Sequence, residues 1–316
     1  MSERTAVLLM AYGTPNSLEE VEPYYQSIRG GRQPTPEQVK ELTDRYRRVG
    51  GRTRLLDITR EVAAALQQRL NAQDADRFQV YIGMKHWHPF IAEVVERIAA
   101  DGIQQVIAIA LAPHYSKMSI DGYRSSVQEA VDSLANPLSV RFIESWYANP
   151  LFISSMAKRI REALKRNFSS DGEEDVKVVF SAHSLPRRIL QWEDPYPEEL
   201  RQSCETVAKA AGLSSWQFTF QSAGRTSDPW LGPDILDTLA GLAGEGAKRA
   251  LMVPIGFVSD NLEIVFDIDV EAQELAQGLG MQLARTEMPN ASPDFIEALE
   301  DLVVNGTGAR TSSTGR

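Results

Sequence analysis

Short apolar runs alternate with stretches of helical period along the whole chain. The runs Ala6–Met10, Gln79–Ile82, Gln105–Leu111, Ser139–Ile143, Val176–Phe180, Gln217–Phe220, Ala250–Pro254 and Met281–Ala284 are rich in Val, Ile, Leu and Phe, as strands buried on both faces should be. Between them, Thr59–Leu70, Pro89–Ala100, Ser126–Leu134, Leu151–Leu164, Pro197–Ala211 and Asp234–Leu242 repeat apolar residues at helical spacing. This βαβα order predicts an α/β fold of parallel sheets flanked by helices. The strands fall into two sets of four with a break near Ala148–Pro150. Two doubly wound halves are therefore expected, residues 1–148 and 149–285, facing each other across a cleft lined by strand ends. A closing helix within 286–304 is expected to return to the first half. The Gly/Ser/Thr-rich segment 305–316 is expected to be a disordered tail.

The run VKVVFSAHSLP, Val176–Pro186, carries an imidazole, His183, to the carboxyl end of a parallel strand. Open α/β sheets put their ligands there. A structural histidine bonded within its loop is the plain alternative. The best partner for His183 is DNLEIVFDIDVEAQE, where Glu263, Asp267 and Glu271 recur every fourth residue. On an α-helix they form one stripe of carboxylates, turning by about 40° per step. Like charges so spaced repel by a few tenths of a kcal/mol, and a cation offsets that cost. Asp260 and Glu263 have the spacing of a capping box, which accounts for Glu263 and leaves Asp267 and Glu271 unexplained. Histidine with carboxylates can bind a divalent cation, accept protons, or both. As a tight zinc site the set is poor, because three strong N or S ligands are lacking.

Composition narrows the chemistry. The chain has 33 Lys and Arg against 43 Asp and Glu, a net charge of −10, which gives no footprint for nucleic acid. One cysteine, Cys204, excludes an internal disulfide and a Cys-ligated iron–sulfur cluster. No apolar run reaches the ~18 residues of a membrane span, and Met1–Thr5 leads directly into the first strand. The chain reads as cytoplasmic. Against this acidic background eight arginines fall between Arg29 and Arg60. Arg29, Arg32, Arg45, Arg52 and Arg54 are candidates to pair planar carboxylates, and the pairs Gly30-Gly31 and Gly50-Gly51 allow close backbone approach. A solvated basic helix is the alternative for Arg47, Arg48 and Arg60. Tyr12, Tyr123 and Trp230 near strand ends suit a large planar ligand, or simply a core. Lys85-His86-Trp87-His88 and His114 stay open between metal-related and structural roles.

MAYGTP (10–15), SAHSLP (181–186), QSAGRTSDPWLGPD (221–234) and VPIGFVSDNLE (253–263) together resemble the ferrochelatases, in family order and over nearly the whole chain. The resemblance implies two Rossmann-like domains, each with a four-stranded parallel sheet, and an interdomain porphyrin cleft of the chelatase kind. It implies insertion of Fe²⁺ into a porphyrin, with His183 and Glu263 as the catalytic and metal-handling pair and Asp267 and Glu271 as an acidic ladder leading away. Fe²⁺ is then a substrate; no permanently bound cofactor and no iron–sulfur cluster are expected. Tyr12 resembles the coproporphyrin-using bacterial branch, in which a tyrosine approaches the metal from the opposite face. Arg29, Arg45, Tyr46, Thr53 and Tyr123 match that branch's porphyrin contacts. Two positions depart from the family pattern: Thr53-Arg54 replaces Ser-Pro, and Glu193 replaces a glycine before Asp-Pro-Tyr. The product is then Fe-coproporphyrin III in haem biosynthesis. The partners are a porphyrin and Fe²⁺, with no transmembrane segment. A monomer in transient contact with neighbouring haem-pathway enzymes is expected. The alternatives are a protoporphyrin IX ferrochelatase, a chelatase for another metal or another tetrapyrrole, and a non-catalytic haem-binding protein. The last has no use for the acidic ladder.

Overall fold

Each apolar run of the sequence forms a strand in the computed structural model, which describes residues 4–72, 76–168, 175–224 and 228–314. β1 (Thr5–Ala11), β2 (Phe78–Met84), β3 (Gln105–Ala110) and β4 (Ser139–Ser145) pair in parallel in the order β2-β1-β3-β4. β5 (Lys177–His183), β6 (Gln217–Gln221), β7 (Arg249–Val253) and β8 (Gln282–Arg285) pair in parallel as β6-β5-β7-β8. The two orders are the same pattern repeated. In both, the chain steps to one side of the first strand and then to the other. The carboxyl end of that first strand is therefore the topological switch point of its sheet.

The first sheet does not stop at four strands. β9 (Arg310–Thr314) pairs antiparallel with β4, from Val140↔Thr314 to Ile143↔Thr311, which corrects the expectation of a disordered tail and of a four-stranded first sheet. The physical reason is the open edge of β4, whose unpaired backbone groups take up a short strand. Composition signals disorder here, yet β-branched Thr311 suits a strand. The approach is pinned by the Asn149 amide, which donates to the Thr307 carbonyl at 3.0 Å. Gly308 has φ +68, and a Cβ there would lie 2.7 Å from the Ala148 oxygen. Arg310 lies 3.9 Å over the Tyr115 ring and 3.3 Å from Glu144.

The chain separates into two compact units, Met1–Asn149 with Ser259–Asn261 and Asn290–Arg316, and Pro150–Val258 with Leu262–Pro289. In the first, α1 (Val21–Ile28), α2 (Pro36–Arg48), α3 (Leu55–Leu70), α4 (Ile91–Ala100) and α5 (Ile120–Asp132) flank the sheet. Thr35 and Gln38 form a reciprocal capping box that starts α2 behind Pro36. In the second, α6 (Pro150–Phe168), α7 (Tyr196–Ala211), α8 (Ile235–Gly244), a π-helix over Glu263–Ala272 and α9 (Gln273–Gly278) surround the sheet. α10 (Pro293–Val304) belongs to the first unit, where Phe295 packs on Trp146. Each unit has its own core. Leu8, Ile98, Ala108 and Phe142 are fully buried in one, and Val179, Leu239, Met252 and Ile264 in the other. Among the described residues no helix is long and apolar enough to cross a membrane.

Candidate active site

In the second unit, Val178, Val179 and Phe180 anchor β5 in the core, and its last residue, His183, is only partly covered. His183 Nδ1 lies 2.6 Å from the carbonyl oxygen of Ser184. A carbonyl only accepts, so Nδ1 carries a hydrogen, and in the neutral ring Nε2 then carries the lone pair. The imidazole is thus held in the tautomer that presents a base, or a metal ligand, at its outer nitrogen. Tyr196 donates to the His183 carbonyl at 2.9 Å, and burial pushes that phenol's pKa up. Phe257 lines one side of the imidazole at 6.5 Å between ring centres.

The strand end is built by three of the sequence motifs meeting. Ser184 donates to the Leu231 carbonyl (2.7 Å), the Leu231 N–H to Leu185 (2.9 Å) and the Arg187 N–H to Pro229 (2.8 Å). SAHSLP is therefore laced to the PWLGPD segment. From the other side Gly256 presses on the strand: a Cβ there would lie 2.7 Å from the Cβ of Ala182, so only glycine fits without displacement. Arg225–Ser227 of the third motif lie outside the described residues.

Glu263 begins the π-helix. The four-residue spacing predicts an α-helix at this point; the structure has i→i+5 bonding instead. At about 4.4 residues per turn, a four-residue step falls short of a full turn where an α-helix overshoots it. Glu263, Asp267 and Glu271 still share one face, and the stripe leans the other way. The capping box expected from Asp260 does not form: the helix starts at Leu262 without a side-chain cap. Asp260 instead exchanges hydrogen bonds with the Asn290 amide at 3.0 and 2.7 Å. Asp267 is 6% exposed and accepts a hydrogen bond from Ser222. Glu263 and Glu271 are half-buried.

Two residues that hold this arrangement escape sequence reasoning. Gln221, fully buried, accepts from the Ser181 hydroxyl at 2.8 Å and donates to the Glu263 carbonyl at 2.9 Å. One amide therefore fixes the start of the π-helix against the strand that carries His183. Ser222 holds Asp267 from a left-handed backbone, φ +61, a conformation that a serine adopts only at a cost. Their signal was available, since both open the QSAGRTSDPWLGPD motif.

In the first unit, Tyr12 follows β1 at the switch point, the position His183 holds in the second sheet. Tyr12 is 39% exposed, with its ring 4.5 Å from His86. Burial and the neighbouring Lys85 hold His86 neutral, with its pKa down to about 4. Tyr46 and Thr53 are buried; both hydroxyls meet that of Thr14, at 3.2 and 2.9 Å. Thr53 thus uses the hydroxyl it retains, and Thr14 is a further member that the sequence did not single out. Arg29 lies over the Tyr25 ring at 5.9 Å, and its Nε is buried without a hydrogen-bond partner among the described residues. Arg45 is 3.6 Å from Glu41. Arg52 and Arg54 are tied to Asp57 and Glu61 at 3.4 and 2.8 Å, which weakens their candidacy for a ligand. Tyr123, in α5, is buried with the Lys85 ammonium 5.0 Å from its ring centre. His88 is exposed and 3.1 Å from Glu93, and His114 is buried and stacked on Tyr147. Among the described residues no three His, Cys, Asp or Glu side chains converge to hold a metal ion.

Over residues 4–307 the chain matches the family described as ferrochelatase. It is 53% identical over 303 residues to a ferrochelatase of Herpetosiphon aurantiacus, covering 96% of this chain and 99% of that one. To the coproporphyrin III ferrochelatase of Bacillus subtilis it is 40% identical over 308 residues, covering 97% and 99%. Among solved structures it is similar to SirB from Bacillus subtilis with Fe³⁺, at a TM-score of 0.55 and 11% identity, covering 97% of this chain and 99% of that one. That likeness is one of fold.

Proposed function

The chain belongs to the ferrochelatase family, and on that premise we propose that it inserts Fe²⁺ into coproporphyrin III, giving Fe-coproporphyrin III in haem biosynthesis. Relatives named coproporphyrin III ferrochelatases support the substrate, at 40% and 42% identity over nearly their full length. Insertion exchanges two pyrrolic protons for one Fe²⁺. The observation that carries the reading is the 2.6 Å contact of His183 Nδ1 with the Ser184 carbonyl. With Nδ1 on the Ser184 carbonyl, the Nε2 lone pair takes one pyrrole proton, and the carboxylate of Glu263 takes the second once it has released Fe²⁺. Glu263 hands over the metal, and Asp267 and Glu271 continue the acidic route behind it. Carboxylates in a row, with no closed set of nitrogen or sulfur donors, hold Fe²⁺ loosely enough for transit.

Tyr12 serves the opposite face of the macrocycle in this reading, and Arg29, Arg45, Tyr46, Thr53 and Tyr123 serve its carboxylates. The enzyme works in the cytoplasm as a monomer and meets neighbouring haem-pathway enzymes transiently, which sedimentation of the purified protein tests.

The deciding assay follows absorbance with anaerobic Fe²⁺ and either coproporphyrin III or protoporphyrin IX. Preference for protoporphyrin overturns the substrate assignment. His183→Ala is expected to abolish insertion while coproporphyrin III still quenches protein fluorescence; full turnover by that variant defeats the mechanism.

A further inference from the structure

The first unit contains a cation whose surroundings call for an anion. Lys85 directly follows β2, and its N–H donates to the Ala11 carbonyl at 2.9 Å while the His86 N–H donates to Tyr12 at 2.9 Å. The residue therefore sits at the carboxyl edge of the sheet, beside Tyr12 at the switch point. Its side chain is partly buried and runs to the start of α5. There the ammonium lies 5.0 Å from the centre of the Tyr123 ring and 3.4 Å from the Ser119 carbonyl. Gly122 makes the room: a Cβ there would lie 2.2 Å from Nζ.

An ammonium has three N–H donors. Among the described residues this one has a single long carbonyl contact and an aromatic face, and no carboxylate within ion-pair distance. Lys40 and Lys158, both exposed, each have a carboxylate at 2.6 and 3.9 Å, whereas Lys85 is more deeply covered than either. Burial alone depresses the proton affinity of Lys85, so no neighbouring charge offsets its desolvation. A half-buried cation in that condition is stabilised by an anion that arrives with a ligand.

We infer that Lys85 is a carboxylate-binding, specificity-determining residue, its ammonium pairing with a carboxylate of the tetrapyrrole in the recess formed by Gly122 and Tyr123. The inference rests on the coproporphyrin III reading. That substrate has four carboxylates, and its tetramethyl ester offers the same macrocycle with none.

The test is Lys85→Met, which keeps an unbranched stem in the recess and removes the charge. Binding is read by fluorescence quenching with coproporphyrin III and with its tetramethyl ester. For the free acid the Kd should rise 10- to 100-fold, as expected for loss of a charge-assisted bond, while the ester's Kd stays within twofold. Gly122→Ala, which displaces the ammonium without removing it, should weaken the free acid in the same selective way, and Lys85→Arg should recover part of the affinity. A free-acid Kd within twofold of the parent overturns the inference. So does an equal loss for acid and ester, which marks a packing role. If the substrate reading itself is wrong, the parent enzyme fails to bind coproporphyrin III, and the inference falls with it.

Discussion

Ser222 tests whether the acidic stripe is held in place or merely present. Its hydroxyl donates to Asp267, a carboxylate only 6% exposed, from a backbone at φ +61. Two opposing effects meet at one residue. A hydrogen bond to a charged acceptor contributes about 1.5–3 kcal/mol. The left-handed conformation costs a non-glycine residue about 1–2 kcal/mol. Ser222→Ala removes the bond and keeps the strain, so it should destabilise by about 2 kcal/mol. Ser222→Gly removes both, and glycine returns about 0.4–1 kcal/mol to the unfolded chain as entropy. Its net loss should be near 1 kcal/mol, so the alanine variant should be the less stable of the two. Urea unfolding gives the order. In the insertion assay both variants should lose kcat/KM for Fe²⁺ severalfold, because Asp267 is no longer oriented, while the Kd for coproporphyrin III is unchanged. An alanine variant as stable and as active as the parent would falsify the claim that Ser222 holds Asp267. A glycine variant less stable than the alanine one refutes the strain reasoning.

Two further expectations concern stability. Glu193, exposed, adopts φ +50 and ψ +40, so Glu193→Gly should raise the urea midpoint, by up to about 1 kcal/mol of stability once the entropy of glycine is deducted; a lowered midpoint contradicts this. His114 is buried, which holds its pKa down to about 3, whereas an unfolded histidine takes its proton near pH 6.5. Between those values the unfolded chain binds a proton that the native state does not. The contribution present above about pH 6.5 is therefore lost as pH falls toward 3, by about 1.4 kcal/mol per pH unit. His114→Phe, which keeps a ring against Tyr147, should flatten the dependence of stability on pH between 6 and 4, and an unchanged slope argues against it.

The sequence by itself determined the parallel strands and their division into two sets, and it pointed to the residues proposed to carry the chemistry. Short apolar runs that alternate with stretches of helical period mark buried parallel strands, and two of them end where His183 and Tyr12 stand. The repeated motifs also marked Glu263, Asp267 and Glu271, because spacing along one helix is local information. What only the tertiary structure decided is what depends on pairs far apart in the chain. The helix of carboxylates is π rather than α, and Gln221 fastens its start to the strand of His183. β9 fills the open edge of β4 because that edge offers unpaired backbone groups, a fact invisible in a Ser/Thr-rich tail. The lone pair on His183 Nε2 follows from one carbonyl oxygen, and the room for Lys85 follows from a missing Cβ at Gly122. Neither leaves a trace in hydrophobic pattern or charge, since each is a distance between atoms that only the folded chain brings together.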